Sequence, residues 1–273
     1  MISELAGRVA EEGRVDEAVR LLESAVEREP ELRLLLARLL RDVPGRAEDA
    51  LRHLYSLVDR NPPDRIAVEF LIWTGLECGR PDVVAHALER LRDPRYADLV
   101  REAEVRLLAD PDSSNLRFGV AFLMYRQGRY AEAAARFGRL TEDPRWGVWA
   151  WNMFGLCYSA EERFFPSVAI DAIRNALEKA GTPLPSDYLE IYFNLASAQY
   201  RDYRFREALA TLRRLSMADS DYPHVDGWLR EVRQLVRRGP HDDGDAACGA
   251  LRKPPFGPWP SGASARESGH TPL

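Results

Sequence analysis

Five histidines (His53, His86, His224, His241, His270) and three cysteines (Cys78, Cys157, Cys248) are the side chains best suited to acid–base, nucleophilic or metal chemistry. No two histidines stand three or four residues apart, where one helix face would aim both at a metal ion. No Cys-x-x-Cys pair offers a zinc corner. His53 and His86 fall on the outer side of helices and read as surface residues. The stretch His241-Asp242-Asp243-Gly244-Asp245 has hard oxygen donors but lacks the later glutamate and flanking helices of a calcium loop, so it reads as a solvated acidic segment. The chain has no Gly-x-Ser-x-Gly elbow, phosphate-binding glycine loop or His-Glu-x-x-His helix. Carboxylates such as Glu11, Asp42, Glu69 and Glu77 belong to separate segments. These observations imply no catalytic residues, no metal and no cofactor, and the protein is expected not to be an enzyme.

Composition narrows the remaining classes. A chain of 273 residues with 45% hydrophobic and 30% charged residues can form a packed core. The net charge of −5 supplies no long-range attraction for nucleic acid. No run of about 18 apolar residues is available to span a bilayer, and the N-terminal residues lack a secretory signal pattern. Three scattered cysteines suit a reducing compartment, so a cytoplasmic protein is expected.

The organising feature is a repeat. Residues 13–18 read Gly-Arg-Val-Asp-Glu-Ala, and the plan returns at Gly128-Arg-Tyr-Ala-Glu-Ala133 and at Tyr203-Arg-Phe-Arg-Glu-Ala208. Taking the small residue as a marker gives Ala18, Ala50, Val84, Ala133, Ala169 and Ala208, spaced by 32, 34, 49, 36 and 39 residues. A large apolar residue follows each marker by three or four positions (Leu22, Leu54, Leu88, Phe137, Ile173, Leu212) and another small or apolar one by about seven, the stripe of an amphipathic helix. A second helical stripe precedes each turn, as in Val120, Ala121 and Met124, or Tyr192, Leu195 and Ala196. Each unit is therefore a helix, a turn and a helix, and the small residues allow two helix backbones to approach closely. Pro30, Pro62, Pro94, Pro111, Pro144 and Pro223 close most units, because proline cannot continue a helix. One hairpin cannot bury its own apolar face, so stability requires a stack of them.

Trp151-x-x-Phe154-Gly155-x-x-Tyr158 and Ala18, Ala25 and Pro30 resemble the two helix signatures of the tetratricopeptide repeat family. The resemblance covers about residues 1–220 and is poorest in the third unit, where Ile72, Gly75 and Val84 replace the usual residues. It implies an all-α, right-handed helical-hairpin solenoid of about six repeats, whose concave face, lined by first helices, holds a segment of a partner protein. One subgroup of the family clamps a partner's C-terminal carboxylate with Lys and Asn side chains. The corresponding early positions here hold Ser3, Gly7 and Leu34, which does not fit that mode.

The spacing of 49 residues between Val84 and Ala133 exceeds one unit, and Leu99, Ala103 and Leu107 form a helical stripe within it. One extra helix is expected at about 95–109, either a decayed repeat or a hinge between an N-terminal subarray (1–110) and a C-terminal one (112–238). Trp228, Val232, Leu235 and Val236 predict a capping helix at 224–238 over the last exposed core face. Residues 239–273 shift to Gly, Pro, Ser and Ala without periodicity, the composition of a disordered tail. Their Lys253-Pro-Pro-Phe-Gly-Pro-Trp-Pro260 stretch favours polyproline II and reads as linker-like, the alternatives being a ligand for another module or a segment that folds back into the groove through Phe256 and Trp259.

Aromatic and arginine residues gather on the first helices of the last three units. Tyr, Trp and Arg dominate binding hot spots because they bury much area at low rotamer cost. The expected peptide-binding groove is Phe118, Phe122, Tyr125 and Arg126, then Trp149 and Asn152, then Phe193, Tyr200 and Arg201. Asn152 would bond the peptide backbone, and Arg126 and Arg201 would meet acidic groups. The expected function is a non-enzymatic adaptor or scaffold whose partner is another protein or a peptide. The alternative is a fixed structural subunit of a larger multiprotein complex. An RNA reader of a related repeat type is disfavoured by the irregular spacing and the acidic balance.

Overall fold

A computed structural model describes residues 2–59, 65–90, 96–160, 165–181 and 188–238. The segment 239–273, including the acidic and proline-rich stretches, lies outside these residues, as do Pro62 and Pro94. Described elements are helical throughout, and they fall into two compact units, residues 1–95 and 96–273.

The N-terminal unit holds three hairpins: α1 (Ile2–Glu11) with α2 (Val15–Ala25), α3 (Arg33–Asp42) with α4 (Ala47–Val58), and α5 (Arg65–Cys78) with α6 (Pro81–Arg90). Each second helix also packs on the first helix that follows, so the hairpins stack in chain order. The C-terminal unit opens with the extra helix α7 (Tyr96–Ala109). Three hairpins follow: α8 (Ser114–Arg126) with α9 (Tyr130–Gly138), α10 (Gly147–Ala160) with α11 (Pro166–Ala180), and α12 (Leu189–Arg201) with α13 (Phe205–Ala218). The capping helix α14 (Val225–Arg238) closes it. The units divide before α7, which packs on α8; the sequence reading grouped that helix with the preceding repeats.

The marker residues explain the packing. Ala18, Ala50, Val84, Ala133, Ala169 and Ala208 are each 0% exposed. In the irregular third unit the small residue has changed helix. A Cβ on Gly75 of α5 would lie 3.0 Å from Val84 Cγ2 and 3.1 Å from Val83 Cγ1, so the missing side chain on α5 makes room for the valine on α6.

The turns of the first, third, fourth and sixth units share one design. In the fourth unit Gly128 adopts φ 79°, its N–H reaches Tyr125 O, and the N–H of Arg129 reaches Met124 O, which satisfies carbonyls at the end of α8. The same closure at the sixth unit uses Tyr203, at φ 59°, with Arg204 N–H on Gln199 O. The arginine after this residue takes the N-cap position of the second helix, where Ser, Thr, Asp or Asn is usual. Its guanidinium instead fixes an acid of the first turn, as Arg14 does with Glu17 and Arg129 with Glu132. That acid also faces the positive end of the helix dipole. Further arginines tie neighbouring units: Arg46 to Glu23 at 2.7 Å, Arg80 to Glu48 at 2.7 Å, Arg136 to Glu104 at 2.6 Å and Arg174 to Glu207 at 2.7 Å.

At the C-terminal end Val225, Trp228, Leu229 and Val232 of α14 bury against Ala208, Leu209 and Leu212 of α13 and Ala196 of α12. This is the capping role predicted for 224–238.

Candidate functional site

The first helices α8, α10 and α12 lie side by side in the C-terminal unit. Side-chain bridges hold the row together. Trp146 Nε1, just before α10, donates to Asn115 Oδ1 of α8 at 3.0 Å, and its ring stacks on Phe118 at 4.1 Å. Asn194 Nδ2 of α12 donates to Asn152 Oδ1 of α10 at 3.2 Å. Arg201 of α12 donates to the backbone carbonyl of Ser159 on α10.

The expected groove residues separate into three groups. Phe118 and Phe122 are 2% and 1% exposed, and Tyr125 is buried with its ring edge against Tyr130. These three are core residues and present almost no surface to a peptide. Every residue from Phe118 to Tyr125 is buried, because α7, α9 and α10 all pack on α8. Phe193 and Tyr200 turn toward the cap: both rings contact Trp228, and Tyr200 Oη donates to Glu231 Oε1 at 2.8 Å. Burial and Glu231 push the Tyr200 hydroxyl up to about 12. Arg126, Trp149 and Arg201 keep part-exposed side chains on the row, whereas Asn152 is 0% exposed and belongs with the core between α10 and α12. Arg126 is half-buried and has no ion-pair partner among the described residues. Trp149 is half-buried beside Tyr188, with ring centroids 5.6 Å apart. The Arg201 guanidinium, held by Ser159 O and lowered in pKa by burial, does not stand free to meet an acid.

Unsatisfied polar atoms mark the row most sharply. Four buried side-chain nitrogen or oxygen atoms among the described residues lack a hydrogen-bond partner, and three of them, Asn152 Nδ2, Ser159 Oγ and Glu190 Oε1, are on α10 and α12. An unmade hydrogen bond at a buried group costs about 1–3 kcal/mol, so such atoms are rarely left without a reason. Burial pushes the Glu190 carboxyl up to about 8, opposed by a hydrogen bond with Asn194. Glu190 keeps some exposed surface as a residue even though its Oε1 is occluded. Tyr125 of α8 and Tyr222, ahead of α14, both feel its charge, and burial raises the pKa of each hydroxyl strongly.

Asn194 is a buried polar member of this row that sequence reasoning missed. It is 4% exposed, and it lies between Ile191 and Leu195, where the helical stripe calls for an apolar side chain. A polar residue at a core position was the available signal. Among the described residues no group of three or more His, Cys, Asp or Glu could hold a metal ion, and no helix is long and apolar enough to cross a membrane.

No protein-family model matches the chain, and no curated protein sequence matches it. Among solved structures it is similar to a tetratricopeptide repeat protein from Parabacteroides merdae, at 16% identity over 85% of this chain and 97% of that one, with a TM-score of 0.42. The P58(IPK) TPR domain aligns at 15% identity over 88% of this chain and 66% of that one, with a TM-score of 0.39. The TPR2AB domain of yeast Sti1, in a complex with pHSP90, aligns at 17% identity over 87% and 96%, with a TM-score of 0.35. The chain's own helix pairing makes it a set of stacked helical hairpins.

Proposed function

We propose that the protein is a non-enzymatic adaptor that binds a segment of another protein along the first-helix row α8, α10 and α12. The observation that carries this reading is the part-exposed Trp149 and, unpaired among the described residues, Arg126 on neighbouring first helices, with the buried unpartnered atoms Asn152 Nδ2 and Glu190 Oε1 on α10 and α12. Trp149 supplies a part-exposed aromatic surface beside these atoms and Arg126 an uncommitted charge, the residue types that anchor interfaces. The row has therefore shifted from the expected one: Phe118, Phe122 and Tyr125 support it from the core, and Phe193 and Tyr200 hold the cap.

The test is capture of partners from source-cell lysate by the parent chain and by an Arg126→Ala, Trp149→Ala variant, compared at equal helical circular dichroism. A partner held by the parent and lost from the variant supports the row as the binding surface. Equal capture by both places binding elsewhere and removes this reading.

A further inference from the structure

Away from that row, a cavity of about 310 Å3 opens between α7, α8 and α9, lined by Leu107, Arg117, Arg136, Arg139 and Leu140. We propose that it is a second binding site, for a phosphoryl group carried on a short aliphatic chain. Three of the five lining side chains are guanidinium groups, and none is acidic. Arg117 Nε donates to the backbone carbonyl of Pro111 at 2.8 Å, which anchors the group without neutralising it. Its acidic contact is Asp112 at 3.3 Å, a side chain 97% exposed, so that charge is well screened by water. Arg136 is paired with Glu104 at 2.6 Å. The side chain of Arg139 has no hydrogen bond or ion pair among the described residues. Positive charge therefore exceeds negative around one cavity, in a chain whose overall charge is −5.

The shape of the complement follows from the lining. Guanidinium groups offer planar forks of N–H donors that match phosphoryl oxygens, and Arg117 from α8 can meet Arg136 of α9 and Arg139 at its C-cap around a group with three terminal oxygens. Leu140, buried, and Leu107, half-buried, give the cavity an apolar wall for the chain that carries the phosphate. The volume lies at the lower end of small-ligand sites.

The experiment is calorimetric titration of the whole chain with n-butyl phosphate and, separately, with an acetyl-Leu-phosphoserine-Leu-amide peptide, at low ionic strength. Arg139→Met is the test variant, and Arg213→Met, exposed on α13, is the control for bulk charge. Binding that weakens about tenfold in Arg139→Met and stays unchanged in Arg213→Met is expected, since one charge-assisted hydrogen bond is removed. If n-butyl phosphate binds as well as the peptide, the natural source is a free small molecule; if the peptide binds far more tightly, it is a phosphorylated partner segment. The site is overturned if neither probe binds, if Arg139→Met binds as well as the parent, or if Arg213→Met loses as much. None of these readouts depends on the first-helix row, so the two proposals stand or fall separately.

Discussion

Gly155 and Ala169 meet where α10 crosses α11, so closely that a Cβ on Gly155 would lie 2.9 Å from the Ala169 carbonyl oxygen and 2.6 Å from Ile173 Cγ1. One of those neighbours is backbone and cannot move without shifting a helix. Gly155→Ala is therefore expected to destabilise the fold by about 1–3 kcal/mol, despite the better helix propensity of alanine. Gly7, in α1, has nothing within 4 Å of the same added atom. Gly7→Ala should stabilise by roughly 0.5–1 kcal/mol. Urea denaturation followed by circular dichroism checks both, and shifts of the same sign would refute the packing argument.

The Gly128 turn and the Tyr203 turn predict opposite responses. Gly128→Ala places a Cβ at φ 79° and should cost about 1–2 kcal/mol. Tyr203 already bears that strain at φ 59° and is half exposed, so Tyr203→Gly should raise stability by about 0.5 kcal/mol after its edge contact with Phe205 is lost. Thermal unfolding midpoints are the measurement.

Glu190 gives a pH dependence. Its carboxyl is pushed up to about 8 in the folded chain, against about 4.3 in an unfolded one, so between these values the folded state holds the extra proton. This group's contribution is fully present below about pH 4, and it is lost as pH rises through about 8. Glu190→Gln keeps the neutral shape and should remove that loss. The stability difference between parent and variant is expected to move in favour of the variant from pH 5 to pH 9. A pH-independent difference would show that the carboxyl titrates normally.

The asparagine pair predicts non-additivity. Asn194→Ala leaves Asn152 Oδ1 buried without its donor, at a cost of about 1–3 kcal/mol. Asn152→Ala removes the acceptor of Asn194 Nδ2, although Asn194 keeps its bond with Glu190. The double variant should cost less than the two single ones together, and strict additivity in a double-mutant cycle would mean that the bond contributes nothing.

Hairpins and groove were not equally legible in the sequence. Ala18, Ala133 and Ala208 head amphipathic second helices with one wet face, so the period shows, and all three are wholly buried. The first helices α8 and α10 carry no such contrast. Neighbours enclose α8 on several sides, and Phe118 through Tyr125 are apolar all round. Without a polar face, periodicity cannot separate the residues that line a groove from those one step deeper. Phe193 and Tyr200 were lost for another reason: α14 is distant in sequence, and only the packed chain shows that it covers their rings. Asn194 and Asn152 could be noticed as polar residues in apolar helices, but their pairing across α10 and α12 belongs to tertiary structure alone.

The cap helix α14 also governs what the end of the stack does in a crowded solution. Its inner side supplies Trp228 and Val232 to the core, while Arg230, Arg233 and Arg237 stand exposed on its outer side. A bare α12–α13 hairpin would offer the next molecule the same apolar face that its own cap now covers, and a heterologous contact of that kind can propagate into a fibre. The capped end presents Arg230, Arg233 and Arg237 where that apolar face would otherwise lie.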